Sequence, residues 1–375
     1  MFDAIMYTPS YVRRGILPLL GGRVTLRRNA VSDFDLTING NETGWERFET
    51  GYRIVITETR DGEPQPWQVL AGTVTSIEEE YAAGVRTIHL IGVSDMAWLS
   101  RHITYPDPSR TAENQTADAY WKRTGNAETV IRDMVRYNLG PQARAERRDT
   151  LTLDTNRNRG ANVTLNTRYK NVLEEAQALA LAGGVTFETR QDDGGSVFGF
   201  RDQRDMTRRI RLGDENEAVE SWKITRSAPE VTSVIVAGQG QGADRNIKVR
   251  TGNQNTWGVV AEEFRDRRDT DDDAELIQAG DERLEEGREK ASVTFELVDL
   301  ENMRFGWDYF LGDRVGVYLS GAVIEDLVQL ADISFSETGR AVKLQVGPVL
   351  DEEDSPRWVR EVKRIRRDMR GLEGI

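Results

Sequence analysis

The sequence has no cysteine. Disulfide frameworks, thiolate metal sites and cysteine nucleophiles are therefore excluded. Histidine is almost as scarce, with only His89 and His102, which leaves little for a zinc site or a histidine-based triad. No run approaches the ~18 consecutive apolar residues that a membrane-spanning helix needs. The N-terminus lacks a signal-peptide layout: Asp3 comes first, the basic pair Arg13 and Arg14 comes late, and the apolar stretch is only Ile16–Leu20. Neither a G-x-S-x-G elbow nor an H-E-x-x-H is present. Lysine is rare as well, with 7 among 50 basic residues. The arginine excess suits planar pairing with carboxylates, although a GC-rich coding bias is the simpler source.

What is present is a chain of 375 residues with a formal net charge of −13. That length predicts two or three packed domains. The acidic balance argues against a protein that coats nucleic acid, because phosphate binding needs a basic surface.

The first third reads as β. Short runs at Val24–Arg27 and Phe34–Ile38 are followed by Arg53–Thr59, Trp67–Glu79 and Val85–Val93. The last three are separated by the turn signals Asp61-Gly62 and Gly84 and predict a meander. Covering one face of such a meander calls for a barrel or a sandwich. A short helix is expected over Asp95–Arg101, ended by Pro106 and Pro108. Residues 109–125 show no period. Asn126 caps a helix carrying Val130, Ile131, Met134 and Val135, which Gly140 and Pro141 end. Residues 142–160, rich in arginine and aspartate, read as an exposed loop. Asn171, with Glu174 three residues on, opens a second helix, and a hairpin over 185–202 follows. From Ala218 the chain is β again, except for a helix over Ala274–Arg288. Residue-level repeats do not relate the two β blocks.

Three local patterns invite a chemical reading, and each has a plainer one. Gly238, Gly240 and Gly242 formally fit a dinucleotide fingerprint, but a strand follows where a helix must begin, so a glycine-rich hairpin is the better reading. Asp269, Asp271 and Asp273 resemble the start of a calcium loop, yet Ala274 and Gly280 stand where glycine and glutamate belong. Helix capping explains the run. Trp67, Trp222 and Trp307 lie in or beside strands, where core packing is the expected use. Catalytic, metal-binding and cofactor-binding residues are therefore all expected to be none.

The end of the chain differs from the rest. Trp358, Val362, Ile365 and Met369 recur at spacings of four, three and four, the stripe of an amphipathic helix or a coiled-coil seam. Between Arg357 and Arg370 stand seven basic residues against two acidic ones, Glu361 and Asp368. Two heptads do not hold a coiled coil alone. The stripe is thus the candidate oligomer or partner contact. It is read as docking to a partner helix or to copies of itself, in preference to phosphate or nucleic acid.

The stretch from Gly51 to His102, with Gly72, Gly92, Asp95, Leu99 and Arg101, resembles the first domain of tail-hub proteins of long-tailed phages. Three later runs (SAPEVTSVIVAGQGQGADR, AEEFRDRRDT and DYFLGDRVGV) resemble the second half of that family. The likeness is greatest to minor tail proteins of siphophages infecting high-GC Gram-positive bacteria, and it spans roughly residues 1–350.

The resemblance implies a β-rich α+β chain with two antiparallel β-barrel-type domains. The first covers residues 1–105, completed by strands from about 216–250. An α+β insert covers 106–215, a second barrel with one helix covers 216–350, and the amphipathic basic helix covers 351–375. It further implies a homotrimeric, non-enzymatic ring at the distal tail tip of the virion, made in the host cytoplasm. Its partners would be the distal tail or tail tube protein, the tape measure protein, and tip, fibre or receptor-binding proteins. DNA would pass only in transit, and negative charge lining the lumen would keep it from sticking. A hydrolase extension is not expected in a chain that stops at Ile375. The competing readings are a tail-associated cell-wall hydrolase, a carbohydrate-binding adhesin, and the hub of a contractile injection or secretion system.

Overall fold

The structure is a computed structural model. It describes residues 1–41, 50–192, 194–213, 219–252, 258–297, 300, 303–319, 321–337 and 339–348. The chain divides into two compact units. One is Met1–Ser221 with Phe295–Leu344; the other, among the described residues, is Trp222–Thr294 with Gln345–Pro348.

In chain order the elements begin with β1 (Phe2–Tyr7), β2 (Arg13–Ile16), β3 (Leu19–Arg27), β4 (Asp33–Asn39), β5 (Arg53–Glu58), β6 (Trp67–Ala82), β7 (Val85–Ser94) and the one-turn α1 (Ala97–Ser100). Then come β8 (Trp121–Asn126), α2 (Ala127–Asn138), β9 (Leu151–Leu153), β10 (Asn162–Thr167), α3 (Val172–Gly183), β11 (Thr186–Asp192), β12 (Gly195–Arg201) and β13 (Arg211–Gly213). The last stretch holds β14 (Val219–Ser227), β15 (Ser233–Ala237), β16 (Ile247–Thr251), β17 (Glu262–Asp266), α4 (Asp273–Glu286), β18 (Lys290–Leu297), β19 (Arg314–Leu319), β20 (Ala322–Ser336) and β21 (Gly339–Val346).

The larger unit is built on a sheet in the order β21-β20-β3-β4-β7-β6-β5-β1-β2, with β19 beside β20 and β13 parallel to β19. The expected meander is β5, β6 and β7, paired antiparallel. Alternating apolar residues bury one face: Phe34, Leu36 and Ile38 on β4, and Ile88 and Leu90 on β7. Gly92 is required here, because a Cβ at this position would lie 2.3 Å from the Phe34 ring and 2.3 Å from Thr73 O. The strand-rich expectation holds; the two barrel-type domains are not confirmed, and among the described residues no closed barrel is found. β20 pairs with β3 from Leu330↔Arg27 to Ser336↔Gly21, so the last strands extend the first sheet. Among the described residues, no pairing joins β2 back to the far end of that order.

Between β7 and β14 the chain forms an α+β region. Asn126 accepts from Thr129 N to cap α2, and Asn171 accepts from Leu173 N and Glu174 N to cap α3. Gly184, at φ +65°, ends α3 in the left-handed region that glycine favours. Both helices pack on β8 paired with β10 and on the β11–β12 hairpin, closing a core of Leu99, Ile131, Met134, Val172, Phe187 and Phe198. The stretch without a period contains β8, and the expected loop over 142–160 contains β9. That loop is also tied down. Glu128, buried at the start of α2, accepts from the backbone N of Arg157 and Arg159 and from the Arg159 side chain, and Arg132 grips Asp154.

The smaller unit holds a three-stranded sheet in the order β16-β15-β17, with β17 parallel to β15. Asp272 accepts from Ala274 N and Glu275 N to cap α4. The helix lays Leu276, Ala279 and Leu284 against Val231, Val234 and Val236.

Candidate functional site

Trp358, Val362, Ile365 and Met369, the contact stripe expected from sequence, lie outside the described residues. Among the described residues, charge and burial concentrate at the two ends of β5, every residue of which is buried.

Arg53 opens β5. The antiparallel register places it beside Thr73 of β6, and Thr73 beside Val93 of β7, so that Asp95 follows just past the end of β7. The approach is close because residue 72 is glycine; a Cβ there would sit 2.1 Å from Val93 O. Arg53 Nη2 donates to Asp95 Oδ2 at 2.5 Å and to Ser196 Oγ at 3.0 Å, and its Nε donates to Gln191 Oε1 at 3.1 Å. Ser196 also donates to Asp95. The Tyr11 ring covers the guanidinium, whose carbon lies 4.3 Å from the ring centroid, and the Tyr11 hydroxyl is 3.0 Å from Ser196 Oγ. Tyr11 sits at φ +64°, a region tyrosine seldom enters. Burial pushes its phenol pKa up. The Arg53 and Asp95 side chains are 3% and 0% exposed. The network joins β5 to the β11–β12 hairpin of the α+β region.

Glu58 closes β5 and is likewise fully buried. It accepts from Arg304 Nη2 at 2.6 Å, from Arg340 Nη1 at 2.5 Å and from the Trp307 indole at 3.1 Å. This end ties the strand to the last part of the chain. β5 is thus clamped at one end through its cation and at the other through its anion.

A cavity of about 240 Å³ lies in the same unit, lined among others by Trp67, Phe187, Phe305, Phe310 and Arg28. Phe305 and Phe310 stand edge-on to Trp67, so this tryptophan packs as expected. Trp307 serves Glu58, whereas Trp222 is 41% exposed, contrary to the expected core role. Arg28 donates to Thr186 Oγ1 at 2.8 Å and to Val185 O at 3.0 Å. Burial brings its pKa down to about 10, with Asp326 pulling the other way.

These arrangements hold structure together. His89 faces Asp35 at 3.3 Å. His102 lies between the carbonyls of Trp98 and Arg147, with Asp149 at 3.6 Å. Neither ring is hydrogen-bonded to a hydroxyl among the described residues. The aspartate run is taken up locally: Asp269 holds Arg267, Asp272 caps α4, and Asp273 accepts from Asn246 and Lys248. The glycine run leads into β16, the strand expected there. Sequence reasoning marked Gly72, Gly92, Asp95, Leu99 and Arg101 as a signature: the two glycines allow the strands to close, Asp95 is the buried anion, Leu99 enters the core of the α+β region, and Arg101 is exposed. It missed Arg53 and Glu58, whose only local signal was a charged residue at each end of a β-branched run.

The fold is similar to those of solved tail proteins. It resembles the 43 kDa tail protein of prophage MuSo2 from Shewanella oneidensis, with a TM-score of 0.60 at 14% identity, covering 92% of this chain and 98% of that one. It also resembles a tail protein from Neisseria meningitidis MC58 (TM-score 0.57, 14% identity, 92% and 96% covered) and prophage tail protein gp18 from Listeria monocytogenes EGD-e (TM-score 0.55, 11% identity, 92% and 94% covered). No curated protein matches the sequence. The family described as Siphovirus ReqiPepy6 Gp37-like protein matches residues 6–348, and the chain belongs to that family.

Proposed function

We propose that this chain is a structural protein of the virion tail, and within the tail a hub at the distal tip. Three copies form a ring that joins the tail tube or distal tail protein to the tip and fibre proteins, beside the tape measure protein, and DNA passes through it. The observation that carries the tail role is the shared fold, which runs almost end to end along both this chain and the 43 kDa prophage tail protein. The hub position and the high-GC Gram-positive host rest on the sequence resemblance. The buried ion pairs at β5 serve to hold strands from distant parts of the chain together, a use that suits a load-carrying part. The stripe Trp358, Val362, Ile365 and Met369 acts as a docking element.

Sedimentation velocity over a wide concentration range tests the ring. A species of three times 42.4 kDa, about 127 kDa, supports it. A strict monomer, together with absence of the chain from purified virions by mass spectrometry, overturns it. No enzymatic role is proposed, and reproducible clearing of host cell walls by the purified protein would reverse that reading.

A further inference from the structure

The cavity of about 240 Å³ lies where three parts of the larger unit meet. The sheet supplies Trp67 from β6 and Arg28 just past β3, the β11–β12 hairpin supplies Phe187 and Arg201, and the chain before β19 supplies Phe305 and Phe310. The aromatic wall is held in place. Phe305 and Phe310 stand edge-on to Trp67, with their centroids 5.9 and 6.2 Å from it. Gly306, at φ +89°, lets the chain pass the Trp67 ring, because a Cβ there would lie 2.2 Å from it. The space exceeds the roughly 150 Å³ that admits a benzene and falls just short of the ~300–1,000 Å³ of sites for larger ligands. It suits one ring with a short side chain rather than a nucleotide or a sugar chain. Among the charged residues of the lining, all but one are answered. Arg27 meets Asp33, Arg190 faces Asp154 at 4.0 Å, and Arg201 donates to Glu188 at 2.9 Å while standing over the Phe310 ring. Arg28 has no carboxylate within ion-pair distance among the described residues; Asp326 acts on it only from farther away. Its guanidinium donates to neutral oxygens, Thr186 Oγ1, Val185 O and, at 3.4 Å, Gln329 Oε1. Neutral acceptors satisfy donors but leave the charge, and a cation held away from water is costly until an anion answers it.

We propose that this cavity is a binding site for a small aromatic carboxylate, with the ring among Trp67, Phe305 and Phe310 and the carboxylate on Arg28. A guanidinium carries several N–H donors, and Arg28 Nη1 makes only the long bond to Gln329, so the spare donors are there. One unanswered cation matches one negative charge, which favours a carboxylate over a phosphate. Desolvation already brings the Arg28 pKa down to about 10, and a bound carboxylate would reverse that. The same chemistry is offered by a free aromatic acid and by a protein chain that ends in an aromatic residue. Such binding adds to the tail role and does not depend on it.

Calorimetric titration of the full chain with three probes tests it. 3-Phenylpropionate should bind with a Kd of about 1 mM or tighter. 3-Phenylpropionamide has the same shape without the charge, and acetate has the charge without the ring; each should bind at least about tenfold more weakly. Arg28→Gln should bring the carboxylate down to the level of the amide. The three probes are compared on the unaltered chain, so the test stands even where Arg28→Gln fails to fold. A tetrapeptide ending in phenylalanine separates the two sources: binding as tight as that of 3-phenylpropionate points to a chain end, and binding of the small acid alone points to a free acid. Equal binding of the amide or of acetate, binding unchanged in folded Arg28→Gln, or no binding up to roughly 10 mM overturns the proposal.

Discussion

The two ends of β5 and the β15–β17 sheet use the same chemistry in opposite settings. At β5 the Arg53–Asp95 and Arg340–Glu58 pairs have side chains no more than 4% exposed. On the smaller sheet, Arg250 and Asp281 are 41% and 48% exposed. A buried pair is costly to assemble and costlier to break, because removing one partner strands the other in a medium that does not solvate it. An exposed pair is screened by water and salt and adds little. The buried pairs therefore act through specificity: they tie particular strands together and penalise any other pairing. The exposed pairs decorate an interface that Val234, Val236 and Leu276 already hold.

The largest effect should come from Arg53→Met. It leaves Asp95 buried without a cation, at a cost of about 3–5 kcal/mol, read as a lowered calorimetric transition. Arg53→Met with Asp95→Leu should recover most of that loss, since an apolar pair of similar volume replaces a buried ion pair at little cost. If the double variant is no better than the single one, the neighbouring contacts of Ser196, Gln191 and Tyr11 carry the site and the comparison is wrong. In the smaller unit the corresponding test is apolar. Leu276, fully buried against β15, should cost about 2–5 kcal/mol as Leu276→Ala, read by faster amide exchange in β15.

How much of this the sequence discloses follows from how far apart the partners are. Asn126 and Asn171 announce α2 and α3, and Asp272 lies just before α4, because a cap acts on amides two or three residues away. The β5–β7 meander is visible for a similar reason, its turns being short. The pairing of β20 with β3 joins residues some three hundred positions apart, and no local period records it. The second meander looks from sequence like a domain of its own. Arg53 and Glu58 look like polar ends of a strand; their burial follows from what packs over them, 42 and 246 residues away. The C-terminal stripe is legible as a stripe, because periodicity is local. A row such as Val249, Ile235 and Phe264 is not, because it appears only when three strands are in register.

A smaller effect, and one with a sign, concerns acid. Arg283 donates to both oxygens of Glu263, at 3.0 and 2.9 Å, and this holds the Glu263 carboxyl below the usual carboxylate range. A carboxylate whose folded pKa is depressed contributes its full stabilisation above its unfolded value of about 4.3 and loses it as pH falls through the folded value. α4, which carries Arg283, should therefore loosen from β17 below about pH 4.3. Glu263→Gln should flatten that part of the profile while leaving the rest unchanged. Hydrogen exchange of β17 between pH 5 and 3 measures it, and identical profiles for the two proteins would mean that the clamp adds nothing.

The smallest effect should be Asp281→Asn, which removes the carboxylate facing Arg250. Both side chains are more than a third exposed, so the pair is worth about 0.2–1 kcal/mol at low salt and less at 0.5 M, where the screening length is only a few ångströms. Urea unfolding at two salt concentrations reads it, with the difference between variant and parent shrinking as salt rises. This result decides the comparison from the other side. Were Asp281→Asn to cost as much as Arg53→Met, with no dependence on salt, burial would not be what separates the two regions, and the arginine–carboxylate pairs of both would have to be counted as equal parts of the framework.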